Sequence, residues 1–162
     1  MLKTYIGNSD KSQWKKLGIL FFKRHQFSQA TRCFISSGDN DLRERTEAAH
    51  LAIKAGEKLR ALSDTNGRMW KNVYNKNKVR AELESEMKQE FLQAGDMFMK
   101  LEKYKDAARC YFSAKEFTRS VHLFEKLGEF GSAGQCYFEL GQYWEAKAMF
   151  DKANDPWRVV DC

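Results

Sequence analysis

One proline and ten glycines in 162 residues leave little to interrupt regular helix. That scarcity disfavours strand-rich architectures, which punctuate themselves with such residues every few positions. Long apolar runs are missing too: none approaches the roughly 18 residues of a membrane-spanning helix. The opening, MLKTYIGNSDK, lacks the apolar core of a signal peptide. Four cysteines occur, none in a CxxC pair, and no N-x-S/T acceptor is present. These absences predict an intracellular chain, cytoplasmic or nuclear, that works without a membrane in a reducing compartment. A G-x4-G-K-[ST] phosphate loop is also lacking, which excludes nucleotide binding of the P-loop kind.

Charge of one sign is scarce in one place. Residues 1–40 carry seven basic side chains against two acidic ones, whereas 91–162 carry ten against eleven. The net +6 therefore sits in the N-terminal half. Such asymmetry permits an acidic or nucleic-acid partner without requiring one.

What the chain does have is repetition. QATRCF at 29–34, DAARCYF at 106–112 and SAGQCYF at 132–138 repeat one phrase. Aligned, they give a 13-residue period. Its first position holds Phe91, Tyr104, Phe117, Phe130 and Tyr143, with a sixth copy opening at Pro156. The fourth is small: Ala94, Ala107, Ser120, Ala133, Ala146. The eighth is aromatic: Phe98, Tyr111, Phe124, Tyr137, Phe150. Spacings of three and four trace one helix face. Gly128, Gly141 and Asn154 at the twelfth position suit a left-handed residue just past a helix end. Each copy thus predicts a helix of about ten residues and a short turn. Helices this short persist only by stacking.

The seventh position alternates. It is Cys110 and Cys136 in two copies and Met97, Leu123 and Met149 in the others, which suggests that helices work in pairs. The N-terminal part follows the same template, with Trp14, Leu17 and Phe21 on one helix and Phe27, Ala30, Cys33 and Phe34 on the next. Trp14-x2-Leu17-Gly18-x2-Phe21, then Ala30 and Phe34, resembles the tetratricopeptide signature W-x2-L-G-x2-Y followed by A-x3-F. Ala94-Gly95-x2-Phe98 with Ala107 and Tyr111 keeps that spacing, although the later pairs are shorter than the family's unit. The resemblance implies an all-α fold, a tetratricopeptide-like α-solenoid of short antiparallel helix pairs. In that family a carboxylate clamp uses Lys and Asn on the first helices. The matching slots here are Lys15 and Ile19, then Leu92 and Asp96, so the clamp does not carry over.

A single helical-repeat domain is expected over 1–162. Its parts are a first helix pair at 14–38, a longer helix at 41–62, a basic connecting segment at 63–80, stacked 13-residue helices at 81–155, and the start of a further helix at 156–162. The longer helix rests on Leu42, Ala49, Ala52, Ile53, Leu59 and Leu62. The layout is similar to the helical-repeat region of large UvrD-like helicases that also carry tetratricopeptide and ankyrin repeats. That likeness implies a non-catalytic segment of a larger polypeptide.

Chemistry-bearing residues are few. His25, His50 and His122 have no shared ligand spacing, and Cys33, Cys110 and Cys136 sit where the repeat wants small packed side chains. The Met and aromatic stripe at 87–101 reads as core, and Glu82, Glu84, Glu86 and Glu90 as a solvated helix face. No cofactor, metal or catalytic residue is expected. One stretch has nucleic-acid character: in RMWKNVYNKNKVR, Arg68, Lys71, Lys76, Lys78 and Arg80 supply charge, while Trp70 and Tyr74 can stack on bases. The competing reading packs those aromatics on the repeat and leaves the lysines in water. Residues set by packing are Trp14, Phe21, Ala30, Phe34, Ala94, Phe98, Ala107, Tyr111, Phe124, Ala133, Tyr137, Ala146 and Phe150. The expected function is a protein-interaction or scaffolding module with a protein or peptide partner; a helicase-associated nucleic-acid contact is the alternative. The face carrying Phe150 and Trp157 is expected to be uncovered, and to self-associate unless further helices follow.

Overall fold

The computed structural model describes residues 10–63 and 76–154. Every element in them is an α-helix. They are α1 (Lys11–Lys23), α2 (Phe27–Ser37), α3 (Asn40–Ser63), α4 (Lys76–Lys100), α5 (Tyr104–Ser113), α6 (Phe117–Lys126), α7 (Phe130–Glu139) and α8 (Tyr143–Lys152). Helices in substantial contact are consecutive along the chain. One apolar cluster nevertheless runs from Ala48 on α3 to Cys136 on α7.

The turns explain the period. Positive φ among the described residues falls at His25, Gly38, Glu102, Lys115, Gly128, Gly141 and Asn154. Counting modules from Trp14, Phe27, Phe91, Tyr104, Phe117, Phe130 and Tyr143, every one is a twelfth residue. The sequence marks this position where it is Gly or Asn; the structure adds His25, Glu102 and Lys115. The residue after it serves two helices. Glu129 N–H donates to the Phe124 carbonyl at 2.9 Å, while the Glu129 carbonyl accepts from Ala133 N–H at 3.0 Å. Lys103 and Glu116 repeat this, donating back to Phe98 and Tyr111 and accepting from Ala107 and Ser120. The first bond is the six-to-one closure of a Schellman turn, and the second opens the next helix. A three-residue connection can therefore satisfy both ends without a side-chain cap. Asp10 and Asp39 add side-chain caps for α1 and α3.

Packing follows the small fourth position. Ala30, Ala94, Ala107, Ala133 and Ala146 are completely shielded from solvent, with Phe34, Phe98, Tyr111, Phe124 and Phe150 nearly so. Trp14 is buried, whereas Phe21 and Tyr137 are half-buried. Ser120 takes the small slot on α6, and its hydroxyl donates to the Ala108 carbonyl on α5 at 2.8 Å. The fifth position, where the sequence motif has Gly18 and Gly95, has a packing role that the motif alone did not show. Aromatic rings of the following helix lie over Gly18, Gly95 and Gly134, so a Cβ there would fall 2.6 Å from Phe34, 2.8 Å from Tyr111 and 2.6 Å from Phe150. The signal was present as a Gly-to-aromatic spacing of sixteen residues in all three places. These notches join α1 to α2, α4 to α5 and α7 to α8. The cysteine alternation likewise pairs α1 with α2 and α4 with α5 but then α6 with α7, so the two periodicities agree in the first two places and part at the third.

Two other expectations change. The long helix read over 41–62 is α3, one residue longer at each end, but its buried stripe is Thr46, Ala48, Ala55 and Leu62. Ile53 and Leu59 stay 39% and 42% exposed. Small residues face the core, and the Thr46 hydroxyl is satisfied by the Leu42 carbonyl at 2.7 Å. Secondly, α4 starts at Lys76, so 76–80 is helical and not part of a connection. Lys78 and Arg80 reach Glu82 and Glu84 one turn on, at 3.9 and 3.4 Å, which favours continuing the helix.

Candidate interaction surface

Of the basic segment, Arg68, Trp70, Lys71 and Tyr74 lie outside the described residues, and Lys76 opens α4. Lys78 and Arg80 are exposed on that helix, each beside a glutamate of its own face. Their charge is partly matched locally, and exposed pairs of this kind are worth only about 0.5 kcal/mol.

The acidic run is not uniformly a solvated face. Glu86 and Glu90 turn towards α3, where Lys58 Nζ lies 2.7 Å from Glu86 and 2.9 Å from Glu90, and Lys54 Nζ lies 2.7 Å from Glu90. Burial pushes the Glu90 carboxyl up, yet the hydrogen bonds from Lys54 and Lys58 outweigh it and the net shift is downward. These pairs clamp the two long helices together. Their i,i+4 spacing gave no hint of a partner helix.

Cys33, Cys110 and Cys136 are buried, free thiols. Burial raises the pKa of each; for Cys110, with Asp106 adding to it, the value is pushed up to about 12. Thiols held this far from ionisation are poor nucleophiles and poor metal ligands. His25 and His50, far apart in sequence, meet around Phe27, with ring centroids 5.7 and 5.4 Å from it. No group of three metal-ligating side chains forms among the described residues. The stripe at 87–101 is core, with Met87, Phe91, Ala94 and Phe98 buried. No helix among the described residues is long and apolar enough to cross a membrane.

Phe150 does not line an open face: it fills the notch at Gly134 and is 2% exposed. Tyr143 and Trp144 are the outward aromatics of α8, at 51% and 82%. Trp157 lies outside the described residues.

Two clefts occupy equivalent places in the repeat. One, of about 320 Å³, lies between α1 and α3 with Phe34 of α2 as its floor. The other, of about 280 Å³, lies between α5 and α7 over Phe124 of α6. In both, the walls come from positions six, nine and ten of one helix and three and six of the helix after next. They differ in chemistry. Ile19, Phe22 and Leu42 wall the first, with Lys23 and Arg45 beside them. Arg109, Phe112, Ser113, Ser132 and Gln135 hold the corresponding positions in the second.

No family model, curated protein or solved structure matches the chain.

Proposed function

We propose that the chain is a tetratricopeptide-like α-solenoid serving as a non-catalytic protein-interaction module. The observation that supports this is the restriction of substantial helix packing to consecutive neighbours. An array built that way grows by stacking units, each covering the last, and keeps the furrows between alternate helices open to solvent. Extended furrows are how repeat proteins hold peptide segments. The buried thiols, each shifted away from ionisation by burial, and the structural use of the α3–α4 carboxylates favour this reading over a catalytic one.

Selection of the chain against a displayed random-peptide library tests the proposal. Binding of the enriched peptides and of a labelled single-stranded oligonucleotide is then measured across a salt series. Saturable peptide binding that changes little between about 50 and 200 mM salt is expected. Failure to enrich any peptide, with oligonucleotide binding that falls steeply over that range, would overturn it in favour of phosphate contacts.

A further inference from the structure

We infer that the cleft between α1 and α3 is a docking site for an apolar side chain flanked by carboxylates, carried on an acidic segment of a partner protein. This rests on the interaction-module reading and adds where the partner sits and what chemistry it brings. Three observations converge on the occupant. The first is size: about 320 Å³ is at the lower end for ligand pockets, suited to an anchoring side chain and too small for a large cofactor. The second is polarity. Phe34 forms the floor with Ile19, Phe22 and Leu42 around it, and Ile19 remains 37% exposed beside the opening. An apolar side chain entering there removes both surfaces from water.

The third is charge. Lys23 and Arg45 line the same cleft, are exposed, and have no ion-pair partner among the described residues. Lys15 and Arg43, by contrast, are matched: Lys15 lies 2.7 Å from Asp39, and Arg43 is within 3.9 Å of both Glu44 and Glu47. Two unmatched cations beside an apolar floor are complementary to a segment that is apolar at one position and anionic next to it.

The repeat supplies its own control. At the equivalent positions of the α5–α7 cleft, Ile19 is replaced by Arg109, Leu42 by Ser132, Lys23 by Ser113 and Arg45 by Gln135. Glu129 stands there as well, paired with Lys105, so that cleft is more polar and its carboxylate is already matched. The same backbone frame thus gives two clefts with an aromatic floor, and of these two only the α1–α3 cleft adds the apolar walls Ile19 and Leu42 and the cations Lys23 and Arg45.

Peptides enriched from the random library provide the probe. The expected consensus is one Leu, Ile, Met or Phe with Asp or Glu beside it. The double variant Lys23→Glu/Arg45→Glu should bind them at least about tenfold more weakly. It should recover affinity for the same peptides synthesised with Lys in place of the acidic residues. Circular dichroism of the variant confirms that the helices are intact, and the charge-swapped peptide shows a working site whatever the stability change. Ser113→Glu, in the equivalent cleft, should leave binding unchanged. Enriched peptides that ignore the double reversal, or that respond to Ser113→Glu, would overturn this assignment while leaving the interaction-module reading standing. A library that enriches nothing would remove both.

Discussion

At the scale of single residues, the fold depends on where a side chain is absent. Gly134 lies beneath the Phe150 ring, and a Cβ there would come within 2.6 Å of Cε1 and 2.7 Å of Cδ1. That ring is itself 2% exposed, so it has nowhere to move. Gly134→Ala should therefore destabilise by about 1–3 kcal/mol, as overpacking of a filled core does. Gly131, on the same helix, would meet nothing closer than the Ala153 Cβ at 3.8 Å. Its replacement by Ala should be neutral or stabilising by up to about 1 kcal/mol, because alanine is the better helix former. Urea midpoints of the two variants check the pair; equal shifts would mean that the ring does not seat on α7. The thiols give a second residue-scale expectation. With Cys110 pushed up to about 12 by burial and Asp106, alkylation of the native protein near neutral pH should be slow and should rise with unfolding. Rapid labelling of Cys33, Cys110 and Cys136 without denaturant would contradict their placement.

At the scale of elements, the Schellman turn is the unit that repeats, and its twelfth residue holds φ near +60° whatever its side chain. Lys115 adopts φ +62° and Gly128 +71° in equivalent turns. A side chain in that region costs about 1–2 kcal/mol that glycine avoids. Lys115→Gly should then be neutral or stabilising by roughly 1 kcal/mol, and Gly128→Ala destabilising by a similar amount. Thermal denaturation separates the outcomes; a stabilising Gly128→Ala would show that the turn is not left-handed. The α3–α4 pair adds a pH-dependent contribution. Because the folded-state pKa of Glu90 lies below its unfolded value, its ion pairs stabilise the fold above about pH 4.3 and lose that effect as pH falls through the folded pKa. Glu90→Gln should be less stable than wild type at neutral pH, and the gap should close in acid. A gap that is constant with pH would mean the carboxylate charge does not matter.

Elements also show how far sequence reaches. The eighth-position aromatics and fourth-position alanines were legible because their burial recurs with a fixed period along one strand of text. Glu102 and Lys115 were not, since a turn fixed by its neighbours' hydrogen bonds forces ordinary residues into the left-handed region. The phase of α3 was missed for a related reason. Ala48 and Ala55 face the core because close approach to α4 requires small side chains, while the larger Ile53 and Leu59 stay outside. The α1–α3 cleft was invisible in sequence: it is assembled from three helices, and Lys23 and Arg45 are separated by all of α2.

At the scale of the whole molecule, the central claim is that helices stack neighbour on neighbour, so disturbance at one end should remain there. Native-state hydrogen exchange on Gly134→Ala tests this most directly. In an array of nearest-neighbour contacts, loosening the α7–α8 notch lowers protection there, less so in α6, and leaves α1, α2 and α3 as in wild type. Uniform loss of protection from α1 to α8 would contradict the account, because it would mean that the chain opens as one cooperative body.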